Sequence, residues 1–372
     1  MKYACYIVVV LALMLSSCQN RITIAGTVER NIDSITITKV LNDNSDAILD
    51  VVSVSHGKYS WTGTIDTTCI IRVYYGLGER DFARVIGEPG KIELNIPKLG
   101  GEQNHPKGTP LNDSITDYYI AVARMMERAD MFYERVEEAT SARERDSLEQ
   151  IHNYLWKGVE QCKANYLNRH TDDLLGVYLL FDFQFYWHPE LIEDAIKKMK
   201  KNFPDNFWVK LIGERVEGQM KGLPGQKYTN LTLTTPMGNQ MSLSDIVPHN
   251  RYTLIYFWAS WCNPCNSEIP YIKDVYNKYH DRGFDVVGIS IDTQIESWRK
   301  SIVGNAIPWY NMSDLKGWSG QAAKTYGIVG IPRTFLIGQD GIIIEKDLRD
   351  NTLMKKMDEL YTEKEEVASQ ET

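Results

Sequence analysis

Residues 253–272 read TLIYFWASWCNPCNSEIPYI, an apolar run that leads into two cysteines separated only by Asn263 and Pro264. An unbroken apolar run of this kind is typical of a strand that is buried on both faces. The residues that follow the second cysteine have helical spacing and predict a helix. A CxxC pair at the junction of a buried strand and a helix indicates thiol–disulfide chemistry in an α/β fold.

The position of each cysteine explains why such a pair would be reactive. Cys262 would lie at the start of the helix, where unpaired backbone N–H groups and the helix dipole favour the thiolate. Cys265 follows one helical turn later, close enough to attack a mixed disulfide formed at Cys262. Pro264 fits the first helical turn, because its missing N–H is not needed there. Trp261 would shield one side of the Cys262 sulfur.

Other interpretations of the cysteine pair are weaker but not all are excluded. A structural zinc ion needs four ligands, and the sequence has no second CxxC or Cys/His pair. Cu(I) can bind two thiolates, although no Met or His accompanies them closely. A purely structural disulfide stays open. The sequence therefore predicts no metal site and no cofactor beyond a Cys262–Cys265 redox pair.

The first eighteen residues, MKYACYIVVVLALMLSSC, have the layout of an export signal. Lys2 precedes an apolar run that is too short to span a bilayer comfortably. The ending Leu15–Cys18 resembles a bacterial lipobox, so residues 1–17 are predicted to be a lipoprotein signal peptide and Cys18 the lipidated residue. The alternative is a secretory signal in which Cys18 is incidental. Both predict export from the cytoplasm, and the first predicts a protein anchored by lipid in the cell envelope and facing the periplasm.

Of six cysteines, Cys69 and Cys162 are then the two without an assigned role. Each lies in an apolar segment and is typical of a small buried residue. A bridge between them is possible outside the cytoplasm, but the sequence cannot assign it.

Changes in pattern along the chain predict a multidomain α+β protein. Short alternating strands in residues 18–100 indicate an antiparallel β-sandwich or barrel. Residues 101–222 have helical spacing, and their aromatic run around Phe181–Tyr186 fits packing better than a binding surface. Residues 223–372 alternate strands and helices. The net charge of −8 argues against nucleic-acid binding, which needs a basic surface.

The segment around the cysteines resembles the active site of the thioredoxin superfamily, and most closely the TlpA/ResA-like membrane-tethered thiol:disulfide interchange proteins. LTLTTPMGNQMSLSDI (residues 231–246) resembles their entry hairpin, and YGIVGIPRTFLIGQDGII (residues 326–343) their Ile-Pro loop and closing hairpin. The resemblance covers roughly residues 223–360. More weakly, the β-rich region resembles a domain of unknown function that precedes such domains in envelope lipoproteins.

The resemblance implies a thioredoxin-like fold for residues 223–372 and a role for several residues. Cys262 would be the exposed nucleophile and Cys265 the resolving thiol. Ile331 and Pro332 would form a cis peptide bond, so that the Ile331 backbone faces an extended substrate segment. Glu268 matches an acidic position that tunes the protonation of the cysteines.

One position departs from thioredoxins proper, in which a buried Asp six residues before the first cysteine handles the proton of the resolving thiol. Here that residue is Tyr256, and a phenol with a pKa near about 10 is a poor base at neutral pH. Proton handling is therefore expected from Glu268, from water or from a residue that the sequence does not identify.

The predicted function is reduction of protein disulfides in the envelope, with electrons from an unidentified membrane donor. Two other hypotheses are a thiol peroxidase that uses Cys262 alone and a binding or scaffolding lipoprotein.

Overall fold

The computed structural model describes residues 20–76, 81–98, 105–186 and 188–370, without the side chains of residues 142 and 363–370. The predicted signal peptide and Cys18 lie outside the described residues. Among the described helices, none combines the length and apolar character that a membrane crossing requires. The chain divides into two compact units, residues 1–183 with 191–212 and residues 184–190 with 213–372. Each unit is described by itself.

The first unit begins with a two-layered β domain. Its strands are β1 (Arg21–Thr27), β2 (Ser34–Val40), β3 (Asp46–Ser53), β4 (Lys58–Thr64), β5 (Cys69–Tyr74), β6 (Phe82–Gly87) and β7 (Gly90–Glu93). They form one sheet in the order β4-β1-β7 and a second in the order β3-β2-β5-β6. Ile22 and Ile24 of β1 and Ile35 and Ile37 of β2 are buried in one shared core. The alternation of apolar residues therefore closes a β-sandwich, as the sequence predicts.

One strand pairing differs from the predicted antiparallel pattern. β7 pairs with β1 in parallel, with Ile22 opposite Gly90 and Ala25 opposite Glu93. Only residues 88 and 89 separate β6 from β7. The chain therefore passes directly from one sheet to the other and adds its last strand beside the first.

The region that follows the β domain is mainly helical, and its last helix ends in the second unit. The helices of the middle region are α1 (Pro110–Glu138), α2 (Ala142–Arg169), α3 (Leu174–Leu179), α4 (Glu193–Asn202) and α5 (Phe207–Lys221). The short connection between α1 and α2 makes them antiparallel neighbours. Ser141 caps α2 by accepting a hydrogen bond from the Glu144 N–H at 3.3 Å.

The candidate bridge between Cys69 and Cys162 is absent from this structure, in which both residues are free thiols. In the described part of the aromatic run after α3, Phe183 and Tyr186 are buried and Phe185 is 61% exposed.

The second unit is built on one mixed sheet. Its strands are β8 (Thr232–Thr234), β9 (Gln240–Ser242), β10 (Tyr252–Trp258), β11 (Phe284–Ser290), β12 (Tyr310–Ser313), β13 (Arg333–Gly338) and β14 (Ile343–Lys346). Its helices are α6 (Asn263–Tyr279), α7 (Ile295–Gly304), α8 (Gln321–Thr325) and α9 (Asp350–Gln370). The strand order is β14-β13-β10-β11-β12-β8-β9. β10 pairs in parallel with β11 and antiparallel with β13.

The centre of this sheet is covered on both faces. Every residue of β10 and β11 is buried, which accounts for their mainly apolar sequences, although β11 also contains Asp285 and Ser290. β12 was not predicted, because its four residues include the polar Asn311 and Ser313 and show no apolar run. The sheet confirms the predicted α/β fold and places the cysteines where β10 ends and α6 begins.

Candidate active site

A loop of three residues, Ala259 to Trp261, carries the chain from β10 to Cys262. Asp292, just after β11, holds this loop from the neighbouring strand. Its carboxylate accepts hydrogen bonds from the Ser260 N–H at 2.9 Å, the Ser260 hydroxyl at 2.5 Å and the Ser290 hydroxyl at 2.7 Å. The position of the first cysteine is thus fixed by two adjacent parallel strands.

Cys262 and Cys265 form a disulfide with their Cα atoms 5.3 Å apart. Cys262 is the N-cap residue of α6, and its Sγ accepts a hydrogen bond from the Cys265 N–H at 3.2 Å. In the reduced protein the same N–H and the helix dipole favour a thiolate at Cys262.

The two sulfurs differ in accessibility. Cys262 is 5% exposed, and Cys265 is completely buried. Cys262 is therefore the cysteine that a partner can reach, although it is more recessed than the exposed nucleophile that the resemblance implies. The reason is the loop before β13, which brings the Ile331 carbonyl oxygen to 3.9 Å from the Cys262 Sγ.

The peptide bond between Ile331 and Pro332 is cis. Beyond this bond, the Thr334 hydroxyl donates to the Leu348 carbonyl at 2.9 Å, and the Arg333 guanidinium forms an ion pair with Asp347. The loop that faces the disulfide is thus held by the segment that leads into α9.

Glu268 lies one helical turn after Cys265 and is 5% exposed. Its Oε1 accepts a hydrogen bond from the Asp350 N–H, at the start of α9, at 2.6 Å. Burial is the main reason why the pKa of Glu268 is raised, and the Asp350 carboxylate raises it further, whereas the Asp350 N–H and Arg349 oppose the shift. A buried carboxyl with a raised pKa is suited to proton transfer near neutral pH.

Arg349 joins the same network from the other side, because its guanidinium donates to the Pro332 carbonyl oxygen. The residues before and at the start of α9 therefore contact both the Ile-Pro loop and Glu268. Sequence reasoning missed Arg349 and Asp350. They lie far along the chain from the cysteines, and an Arg-Asp pair before a helix is an ordinary helix start.

Tyr256, where thioredoxins proper have an acid, is fully buried and donates its hydroxyl to the Cys265 carbonyl oxygen at 2.7 Å. Burial and, to a smaller extent, the nearby Glu268 raise the pKa of this phenol. Tyr256 therefore stays protonated and binds the backbone at Cys265, whereas Glu268 is a titratable group on the same helix as Cys265.

Trp261 is 55% exposed and contacts Trp318, with ring centroids 6.3 Å apart. The sequence gives no signal for Trp318, which lies in a loop after β12. Within the part of the chain that the structure describes, no group of three or more His, Cys, Asp or Glu side chains could hold a metal ion.

The fold and the site together define a class of protein. A dithiol at the start of the helix that follows a central strand, faced by a cis-proline loop, is the arrangement of a thioredoxin-like protein that exchanges thiols and disulfides.

Comparisons with known proteins narrow this class. Residues 224–346 match the AhpC/TSA family, and residues 22–115 match DUF4369, a domain of unknown function. The thiol-disulfide oxidoreductase ResA of Bacillus thuringiensis subsp. konkukian is 30% identical over 122 residues, which are 33% of this chain and 68% of that protein. The chain belongs to the ResA-like thiol-disulfide oxidoreductases, as the sequence resemblance predicts, and is an oxidoreductase.

Solved structures of similar sequence include two proteins from Bacteroides species. The thioredoxin domain of a thiol-disulfide oxidoreductase from Bacteroides vulgatus is 30% identical, with a TM-score of 0.35 over 37% of this chain and 97% of that one. A thiol-disulfide oxidoreductase from Bacteroides fragilis is 31% identical, with a TM-score of 0.35 over 36% of this chain and 99% of that one.

Proposed function

We propose that this oxidoreductase reduces disulfide bonds in exported proteins, with Cys262 as the attacking thiol and Cys265 as the resolving thiol. The observation that carries the proposal is the difference between the two sulfurs. Only Cys262 has measurable exposure, and it lies at a helix N-terminus that favours its thiolate.

The proposed reaction has two exchange steps. The Cys262 thiolate attacks the substrate disulfide, so that a bond forms between Cys262 Sγ and one substrate sulfur while the substrate S–S bond breaks. The leaving substrate thiolate takes up a proton. The Cys265 thiolate then attacks Cys262 Sγ, releases the second substrate thiolate, which is also protonated, and closes the Cys262–Cys265 disulfide. Two electrons pass to the substrate, and a dithiol donor must return two to the protein.

Glu268 supports both the proton transfer and the direction of this reaction. As a base on α6, one helical turn after Cys265, it would accept the Cys265 proton before the second step. Once ionised, a carboxylate near the dithiol disfavours thiolates and therefore the reduced form of the pair. A pair whose reduced form is disfavoured gives up its electrons readily, which favours a reductant over an oxidant.

The substrate would bind as an extended segment beside Ile331. Among the described residues, none accepts a hydrogen bond from the Ile331 N–H, while its carbonyl oxygen faces the Cys262 sulfur. A strand-like segment can pair with this backbone and bring its own cysteine to Cys262.

We also propose that residues 1–17 are removed and that lipid on Cys18 holds the protein at an envelope membrane, where a membrane protein supplies the electrons. The support is the Leu-Ser-Ser-Cys sequence after the apolar run. Labelling cells with a radioactive fatty acid tests this part. The wild-type protein should carry the label, and Cys18→Ala should not.

The reduction potential of the Cys262–Cys265 pair tests the direction. Equilibration with glutathione or dithiothreitol buffers should give a value near about −270 mV, that of thioredoxin, whereas about −120 mV would mark an oxidant. Cys262→Ser should abolish reduction of a peptide disulfide, and Cys265→Ser should accumulate the mixed disulfide. Turnover of hydrogen peroxide that survives Cys265→Ser, without peptide reduction, would instead favour a peroxidase.

A further inference from the structure

Two of the tryptophans in the second unit are exposed, and they contact each other beside the reactive cysteine. Of the tryptophans described there, Trp258, Trp298 and Trp309 are at most 5% exposed, whereas Trp261 and Trp318 are 55% and 46% exposed. The ring centroids of Trp261 and Trp318, hereafter the tryptophan pair, are 6.3 Å apart with their planes inclined by 55°.

The fold holds Trp318 in this exposed position. Trp318 lies in the turn Gly317–Ser319. Gly317 has φ +56°, which favours glycine, and the Asp314 carboxylate accepts the Lys316 N–H at 3.0 Å and the Ala322 N–H at 3.2 Å. The exposure therefore belongs to a hydrogen-bonded loop.

An exposed tryptophan pair leaves much apolar surface in water. An aromatic side chain of this size buries about 150–250 Å² when it is fully covered. Because each of the two rings is about half exposed, together they leave roughly the area of one such side chain in contact with water. Tryptophan is one of the residue types enriched at the energetic centre of binding surfaces. Trp261 immediately precedes Cys262, so a molecule that covers the pair also approaches the reactive sulfur.

The proposed strand-like binding beside Ile331 indicates what would cover the pair. In an extended segment paired with the Ile331 backbone, side chains two residues apart point to the same side at about 6.6–6.8 Å. A substrate cysteine at Cys262 therefore has a neighbour, two residues away, that faces the same surface. An apolar side chain there would cover the indole rings.

We infer that the tryptophan pair is a docking surface for an apolar side chain two residues from the target cysteine of the substrate protein, and that Trp318 determines this specificity. The inference rests on the proposed disulfide reduction and deepens it. Substrates would then be segments with a large apolar residue near their cysteine, such as those exposed before a protein has folded.

The test uses the reduced full-length protein and two synthetic peptides that differ at one position. Each peptide carries one cysteine as a mixed disulfide with thionitrobenzoate, whose release is followed by absorbance, and has Phe or Ser two residues from that cysteine. The wild-type protein should react about tenfold faster with the Phe peptide, the size of effect that a tryptophan contact gives. Trp318→Ala should reduce this preference to less than about twofold, and Trp318→Phe should retain most of it.

Matched controls separate docking from thiol reactivity. Tyr310 is also 46% exposed in the same unit, and Tyr310→Ala should keep the wild-type preference. Reaction with the free reagent dithiobis(nitrobenzoate) should be equal in all variants, since it needs no peptide contact. Equal rates with both peptides in an active wild-type protein, or an unchanged preference in Trp318→Ala, would overturn the inference alone. A wild-type protein that reacts with the free reagent but with neither peptide would overturn the proposed function as well.

Discussion

Replacement of Glu268 by Gln should affect Cys265 in two ways that oppose each other. It should make the thiol easier to ionise, and it should remove the base that accepts its proton. Gln has nearly the same shape and can still accept the Asp350 N–H through its side-chain oxygen, but it carries no charge and is not a base. The pKa of the Cys265 thiol should therefore fall, while the second exchange step, in which this thiol acts, should slow.

The magnitudes decide which effect dominates. Residues three apart on a helix have Cβ atoms about 5–6 Å apart. At about 6 Å and an effective dielectric constant near 20, an ionised carboxylate opposes a thiolate by about 2.8 kcal/mol, an upper limit of about 2 pKa units. Loss of the charge would give up to about 100-fold more thiolate, but the lower basicity of the thiolate leaves only about a tenfold gain in attack. Loss of a general base costs about 10²- to 10⁴-fold, so the net result should be at least about a tenfold slower step.

Two assays measure these effects separately. In a Cys262→Ser background, the pH dependence of iodoacetamide alkylation, followed by mass spectrometry on the peptide that contains Cys265, gives the pKa of this thiol separately from the free thiols of Cys69 and Cys162. In the two-cysteine protein, rapid quenching after mixing with a peptide disulfide gives the lifetime of the mixed disulfide at Cys262. Glu296→Gln is the matched control, because Glu296 lies on α7 of the same unit and pairs with Arg299 at the surface.

A mixed disulfide that resolves as fast in Glu268→Gln as in the wild-type protein would refute the base role. A slower step with an unchanged thiol pKa would instead show that the charge of Glu268 does not reach Cys265, and would contradict the electrostatic part of the reasoning.

Three further substitutions test the surroundings of the dithiol. Asp350→Asn keeps the backbone N–H that binds Glu268 but removes the charge that raises the pKa of Glu268, so the acid limb of the pH–rate profile should shift to lower pH, and an unshifted limb would contradict the coupling. Asp292→Ala leaves the polar groups of the active-site loop without their acceptor and should lower the free energy of unfolding by at least about 1–3 kcal/mol in urea titrations. Tyr256→Phe should cost about 0.5–1.5 kcal/mol in the same titration through the lost bond to the Cys265 carbonyl, with no change in the pH–rate profile, whereas a shifted profile would give the phenol a role in proton transfer.

The central part of the site could be predicted because its signals are local. The apolar run of β10, the CxxC spacing and Pro264 lie within a few residues of one another, and together they require a strand, a turn and a helix start. The Ile331-Pro332 pair was found only through resemblance, since nothing in its composition connects it to a cysteine about seventy residues earlier.

The parts that were missed depend on contacts between distant segments. Asp292, Trp318, Arg349 and Asp350 have ordinary neighbours in sequence, and only the sheet order brings them to the dithiol. The burial of Glu268 is of the same kind. On sequence alone, a carboxylate in an early helical turn is equally well explained as a solvent-exposed group that favours the helix dipole.

The hydrogen bond between Glu268 and the Asp350 N–H joins residues that are 82 positions apart, and this separation has a consequence for biosynthesis. A ribosome that adds about 5–20 residues per second needs about 4–16 s to extend the chain by 82 residues. During that interval a newly made chain already contains both cysteines, whose bond spans only three positions and needs nothing from later residues. The disulfide can therefore form early. The Glu268 carboxylate can bind the Asp350 N–H only after the start of α9 has been synthesised. A chain interrupted in that interval would carry the oxidisable pair and Glu268, but not the Asp350 N–H to which this carboxylate bonds in the folded protein.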